Sequence, residues 1–127
     1  MPTIHIQFTL FSAFYSPLIS IMTGGFLASE GFDYEWSVAT PGVSALAALE
    51  DGTAQVVQST ISQGFHSLEK GRQDSARHFA LINDMDGFFL TSRTPDHDFH
   101  WAKLESADVL VHHGGQPLTM FKYACFK

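Results

Sequence analysis

Four short stretches hold the side chains with which this sequence could do chemistry. They are Phe14, Tyr15 and Ser16; Pro41, Gly42, Val43 and Ser44; Ser59, Thr60 and Gln63; and Gly114, Gly115 and Gln116. Aromatic rings, hydroxyls, amides and the open N–H groups beside glycines can hold a small polar or aromatic molecule without reacting with it. A planar, polar ligand such as a pyrimidine would rest against Tyr15 or Phe14 and bond to Ser44, Ser59 and the Gly115 amide. Ordinary turn and capping chemistry accounts for any one stretch alone. Four of them at one edge of a sheet would make a binding site.

Reactive constellations are scarce. The sequence holds no G-x-S-x-G elbow, no P-loop and no G-x-G-x-x-G turn. No Ser-His-acid set can be picked out by spacing. Cys125 falls on the apolar side of a helix with Leu118, Phe121 and Ala124, which predicts a buried core thiol rather than a nucleophile. His112 and His113 precede Gly114-Gly115, which could form an anion-binding concavity. Strand alternation would send the two rings to opposite faces, so they would not chelate one metal. Asp96, His97, Asp98 and His100 offer oxygen and nitrogen ligands with no third histidine or cysteine alongside. That cluster reads as a solvated loop, and neither a metal nor a cofactor is expected.

To bring the four stretches together, the chain must alternate strands and helices. Ile4, Ile6, Phe8 and Leu10 alternate with His5, Gln7 and Thr9, as in a strand. Ser16-Pro17 opens a helix of about residues 16–30, loosened at Gly24-Gly25 and stopped by Gly31. Tyr34, Trp36 and Val38 mark a second strand, ended by Pro41-Gly42. VSALAALEDG predicts a short helix with Gly52 in the left-handed position past its end. QVVQ predicts a brief third strand. SQGFHSLEKG predicts a helix capped by Ser62 and stopped at Gly71, with Phe65 and Leu68 on one face. HFALIN, GFFLTS and DVLVHH read as further strands, and LTMFKYACFK as a last helix. The expected fold is α/β, one lobe over residues 1–127 with a mainly parallel sheet covered by helices on both faces. In such sheets ligands bind at the carboxyl ends of the strands, where all four stretches would lie.

Composition bounds the partners. The length of 127 residues suits one domain with a real core, and 45% hydrophobic against 16% charged residues is a globular balance. Thirteen acidic against seven scattered basic side chains give a net charge of -6, which repels phosphate backbones and argues against nucleic acid. One cysteine excludes an internal disulfide. No apolar run is long enough to span a membrane. MPTIHIQFTL lacks the character of a secretory signal, so the chain reads as cytoplasmic as written, or periplasmic if a signal precedes Met1. The amphipathic helix still running at Lys127 suggests a piece of something longer, and an isolated lobe of this kind leaves homodimerisation open.

YSPLISIMTGGFLASEGFDYEWS, GVSALAALEDGTAQVV and WAKLESADVLVHHGGQP, in this order and spacing, resemble the solute-binding proteins of ABC transporters for sulfonates, nitrate and thiamine-pyrimidine precursors. That family has the type II periplasmic-binding-protein fold and includes the yeast-type thiamine pyrimidine synthases. The resemblance implies the N-terminal lobe of a two-lobed protein about twice this length, a small-molecule ligand and an ABC permease as partner. Gln55 stands where the family usually has aspartate, and Ser106 where it has glycine. The synthase branch needs a cofactor-binding lysine and a histidine four residues later; Ser59 and Gln63 occupy those positions here, and its cysteine-rich iron motif is missing. The resemblance therefore implies binding without catalysis, with a pyrimidine-synthesising enzyme or a cytosolic ligand-sensing domain as the alternatives. A single lobe encloses a ligand on one side only, which predicts weak binding.

Overall fold

The structure, a computed structural model, describes residues 1–72, 76–84, 89–111 and 115–127. The chain falls into two compact units, Met1–Asp84 and Met85–Lys127. In the first, β1 (Thr3–Phe8) leads through a 3-10 turn (Ala13–Tyr15) to α1 (Ser16–Thr23) and α2 (Phe26–Ser29). β2 (Asp33–Val38), α3 (Ala47–Glu50), β3 (Val56–Gln58) and α4 (Ile61–Glu69) follow. The strands form a parallel sheet in the order β2-β1-β3. The α/β class and parallel sheet expected from the alternating pattern are present.

The alternation in β1 builds the core. Ile6 and Phe8 are buried together with Met22 of α1, and Ile4, Tyr15, Leu18, Ile19, Leu27 and Val56 pack around them. Ser12 opens the 3-10 turn by accepting a hydrogen bond from the Phe14 N–H at 3.2 Å, and Pro17 sits in the first turn of α1. The helix divides where the Gly-Gly pair predicts: Gly25, at φ 77°, separates α1 from α2. From β1 the chain steps to β2 on one side, then back past β1 to β3 on the other. Crossovers of one hand that run in opposite directions lie on opposite faces of a sheet. Consistent with this, Ala45, Leu46, Ala48 and Ala54 around α3 are buried apart from the Ile6–Phe8–Met22 cluster.

Gly24 has no room for a side chain. A Cβ there would lie 2.7 Å from the Ser20 carbonyl oxygen and 2.7 Å from the Phe26 ring. Gly24→Val is expected to cost about 1–3 kcal/mol, the usual penalty of overpacking. Urea unfolding followed by circular dichroism measures it, and an unchanged midpoint would contradict the close approach.

Several expected elements differ. Residues 78–83 carry no strand, nor do residues 89–92 or 108–111; the remaining positions of GFFLTS and DVLVHH lie outside the described residues. Periodicity alone cannot decide short apolar runs, and a strand exists only where a neighbour takes its backbone groups. These runs lack that neighbour and are open, with Phe79 and Leu81 more than three-quarters exposed. α4 begins at Ile61, so Ser62 is in its first turn rather than at its cap, its hydroxyl 2.8 Å from that of Thr60. The face shared by Phe65 and Leu68 is exposed, and among the described residues of α4 the buried one is Ser67.

In the second unit a 3-10 helix (Trp101–Ser106) precedes α5 (Gly115–Phe126). Phe99 packs edge-on against Trp101 at 5.8 Å, and Lys103 Nζ bonds both Asp96 carboxylate oxygens, at 3.0 and 2.9 Å. Cys125 is exposed, which corrects the expected core role. α5 half-buries Leu118, Phe121 and Ala124, and Cys125 falls just outside that stripe. Among the described residues no helix is long and apolar enough to cross a membrane.

Candidate functional site

The candidate site begins at the point where the strand order reverses. Along β1, successive residues turn their backbone groups to opposite neighbours. The Phe8 carbonyl accepts from Ala39 N–H at 2.8 Å, just past β2, while Thr9 N–H donates to the Gln58 carbonyl of β3 at 3.2 Å. Thr9 Oγ1 also donates to that carbonyl at 2.7 Å, and Gln58 Oε1 accepts from Thr9 N–H at 3.2 Å. Gln58 is 5% exposed. Its fixed side chain holds the ends of β1 and β3 together at the carboxyl edge, the crevice where parallel sheets of order 2-1-3 bind ligands.

The expected site residues divide among three places. Gly42 and Ser44 line an open groove of about 640 Å³ with Gln63, Glu50, Lys70 and Arg72. Ser44 and Gln63, from the stretches after β2 and β3, are brought together, their side-chain oxygens 3.5 Å apart. The Ser44 hydroxyl also accepts from Leu46 N–H at 3.3 Å. Ser59 lines a second cavity of about 290 Å³ with Leu46, Leu49, Gln55, Val57 and residues 76–79. Thr60 lines neither cavity and precedes α4, its hydroxyl bonded to that of Ser62.

Phe14, Tyr15 and Ser16 follow β1 but line neither cavity. Tyr15 packs partly into the core, its ring edge-on to that of Phe14 at 5.4 Å, while Phe14 and Ser16 are exposed. Of the two aromatic rests expected for a ligand, Phe14 is thus the open one. Asn83 Nδ2 reaches back to the Phe14 carbonyl at 2.9 Å, so Asn83 borders this stretch. Gly115 and Gln116 open α5 in the second unit. Gly114, His112 and His113 lie outside the described residues.

Thr9, Gln58 and Asn83 border the site in addition to the residues expected from the sequence. Thr9 and Gln58 end apolar strands with polar residues, a visible signal once the strand order is known. Asn83 gave no signal, because its contact spans 69 positions.

Charges at the groove are local. The Arg72 guanidinium pairs with the Glu50 carboxylate, which raises the Arg72 pKa through hydrogen bonding and charge attraction. Past α3, Asp51 accepts from the Thr53 hydroxyl at 2.6 Å and from the Thr53 N–H at 2.9 Å. These bonds lower the Asp51 pKa, the hydroxyl contributing most. A carboxylate with a lowered folded pKa supplies stability above its unfolded pKa and loses it as pH falls through the folded value. The Asp51 carboxyl carbon is therefore expected to titrate by NMR at lower pH than an unstructured aspartate, and Thr53→Ala is expected to remove most of the difference. An unshifted Asp51 would refute the turn.

Among the described residues no group of three or more histidine, cysteine, aspartate or glutamate side chains is placed to hold a metal ion. The parallel sheet carries polar loops at its reversal point, the place where α/β sheets hold ligands when they bind them. At the level of sequence the chain is similar to a protein of Bacillus subtilis (strain 168) named "Putative binding protein YtlA", 26% identical over 117 residues. The match covers 91% of this chain and 35% of that protein, so the chain spans about a third of the relative's length. No family model matches, and no solved structure matches.

Proposed function

We propose that the chain is a ligand-binding lobe of a solute-binding protein that serves ABC-type uptake, and that it holds its ligand without transforming it. The observation that carries this reading is the reversal of strand order at β1, where Gln58 and Thr9 lock the carboxyl edge beneath the polar loops. The similarity to a protein named as a binding protein supports it. Ser44 and Gln63 supply hydroxyl and amide groups to the adjoining groove, and the half-exposed Phe14 supplies an open ring. A thiamine-type aminopyrimidine or a small sulfonate has the hydrogen-bonding edge that such groups satisfy. An ABC permease is the proposed partner of the longer protein.

Thermal unfolding with a thiamine-type aminopyrimidine, an alkyl sulfonate and nitrate as probes tests the proposal. A ligand at a hundredfold excess over its Kd adds about 2.7 kcal/mol to the folded state. One probe is expected to raise the melting temperature. The Ser44→Ala/Gln63→Ala pair is expected to weaken that probe about tenfold, as for the loss of one or two hydrogen bonds. No shift with any probe at millimolar concentration, or a shift that the double substitution leaves undiminished, would overturn the reading.

A further inference from the structure

Among the described residues β2 is an edge strand, with no strand paired to its outer side and three apolar side chains along it. Asp33 N–H donates to the Pro2 carbonyl at 3.0 Å and Ala39 N–H to the Phe8 carbonyl at 2.8 Å. By the two-residue period of a strand, residues 33, 35, 37 and 39 turn their backbone groups to β1. Tyr34, Trp36 and Val38 therefore direct theirs to the free edge, where no described strand pairs with them. The same three side chains are 36%, 47% and 46% exposed on one face, and Phe11 stacks on Trp36 at 4.6 Å. Edges of this kind are usually blunted by lysine, proline or a bulge. The segment Asp33–Val38 has none of these.

We infer that this edge pairs with the same edge of a second copy, antiparallel, with Trp36 opposite Trp36 of the other copy on a twofold axis. Three features select that register. Outward-facing backbone groups must meet outward-facing ones, so even-numbered residues pair with even-numbered residues. Trp36 on the axis then sets each Tyr34 opposite a Val38, which engages all three outward residues on both chains. Aromatic and β-branched residues form favourable cross-strand pairs. Shifting the axis to Glu35 would bring two Glu35 carboxylates face to face, whereas with Trp36 on the axis each Glu35 faces Ser37 of the other copy. The pairing is self-complementary, as a twofold interface requires, and it joins two three-stranded sheets into one of six. The partner is a second copy rather than an unrelated peptide because the pairs satisfy themselves without any foreign side chain.

The test is sedimentation of the full chain from micromolar to about 1 mM, the range in which weak association becomes populated, together with amide exchange. A doubled mass is expected, with the Tyr34, Trp36 and Val38 amides exchanging more slowly as concentration rises. Val38→Pro removes only an outward N–H and is expected to give a monomer whose circular dichroism matches the parent. A parent chain that remains monomeric at about 1 mM overturns the inference. So does a dimer that Val38→Pro leaves intact, or one without concentration-dependent protection of the three amides. Should Val38→Pro lose the parent's circular dichroism, Val38→Lys takes its place, with a monomer expected and an intact dimer overturning the inference.

Discussion

Phe8→Ala is expected to lower the stability of the chain by about 3–5 kcal/mol, the cost of emptying a phenylalanine site in a packed core. Phe8 is fully buried, the largest side chain to be so among the described residues. Its ring meets Phe11 edge-on at 5.3 Å and Trp36 at 6.2 Å, and it packs with Ile6 and Met22. It also sits on the central strand, so a cavity there loosens both β1 pairings. Domains of this size have only about 5–15 kcal/mol in hand, and the substitution is expected to bring unfolding near ambient temperature. Phe8→Leu, which keeps most of the volume, is expected to cost clearly less. Urea unfolding with both probes of secondary and tertiary structure gives the comparison, and equal costs for alanine and leucine would show that ring packing is not what holds the sheet.

That core was legible in the sequence because it depends on local pattern. Ile4, Ile6 and Phe8 alternate, Pro17 opens α1, and Gly24-Gly25 interrupts it, all from neighbouring residues. The expected strands of residues 78–83 and 108–113 rested on composition, and the described residues there form no strand because pairing is a property of partners. The site was legible in the same graded way. Ser44 and Gln63 were placed in loops at the carboxyl edge from topology and do meet, while Phe14 and Ser59 were placed at the same edge but face different surroundings. Side-chain direction, not chain direction, separates these cases. The Gln58–Thr9 tie required the strand order β2-β1-β3, which no local pattern encodes.

Proline at two adjacent positions of β2 is expected to have opposite consequences. By the alternation fixed at Asp33 and Ala39, Ser37 turns its N–H to β1 and Val38 turns its N–H to the open edge. Ser37→Pro removes a ladder donor, leaves a β1 carbonyl without its partner and deletes the hydroxyl 2.8 Å from His5 Nε2. An orphaned backbone acceptor costs about 1–3 kcal/mol, and the side-chain bond adds about 1 kcal/mol. A total loss of about 2–4 kcal/mol follows by addition of those terms. Val38→Pro removes no bond of the β1 ladder, because proline is tolerated where an edge strand's N–H faces solvent. Its side chain is already 46% exposed. The two variants, compared in the same urea titration, are therefore expected to differ by at least about 2 kcal/mol. The same pair separates fold from assembly, since only the first should unfold the sheet while the second leaves it folded and unable to pair. Equal destabilisation by both would mean that the Val38 N–H is already engaged, and the outer edge of β2 would then be closed to any second strand.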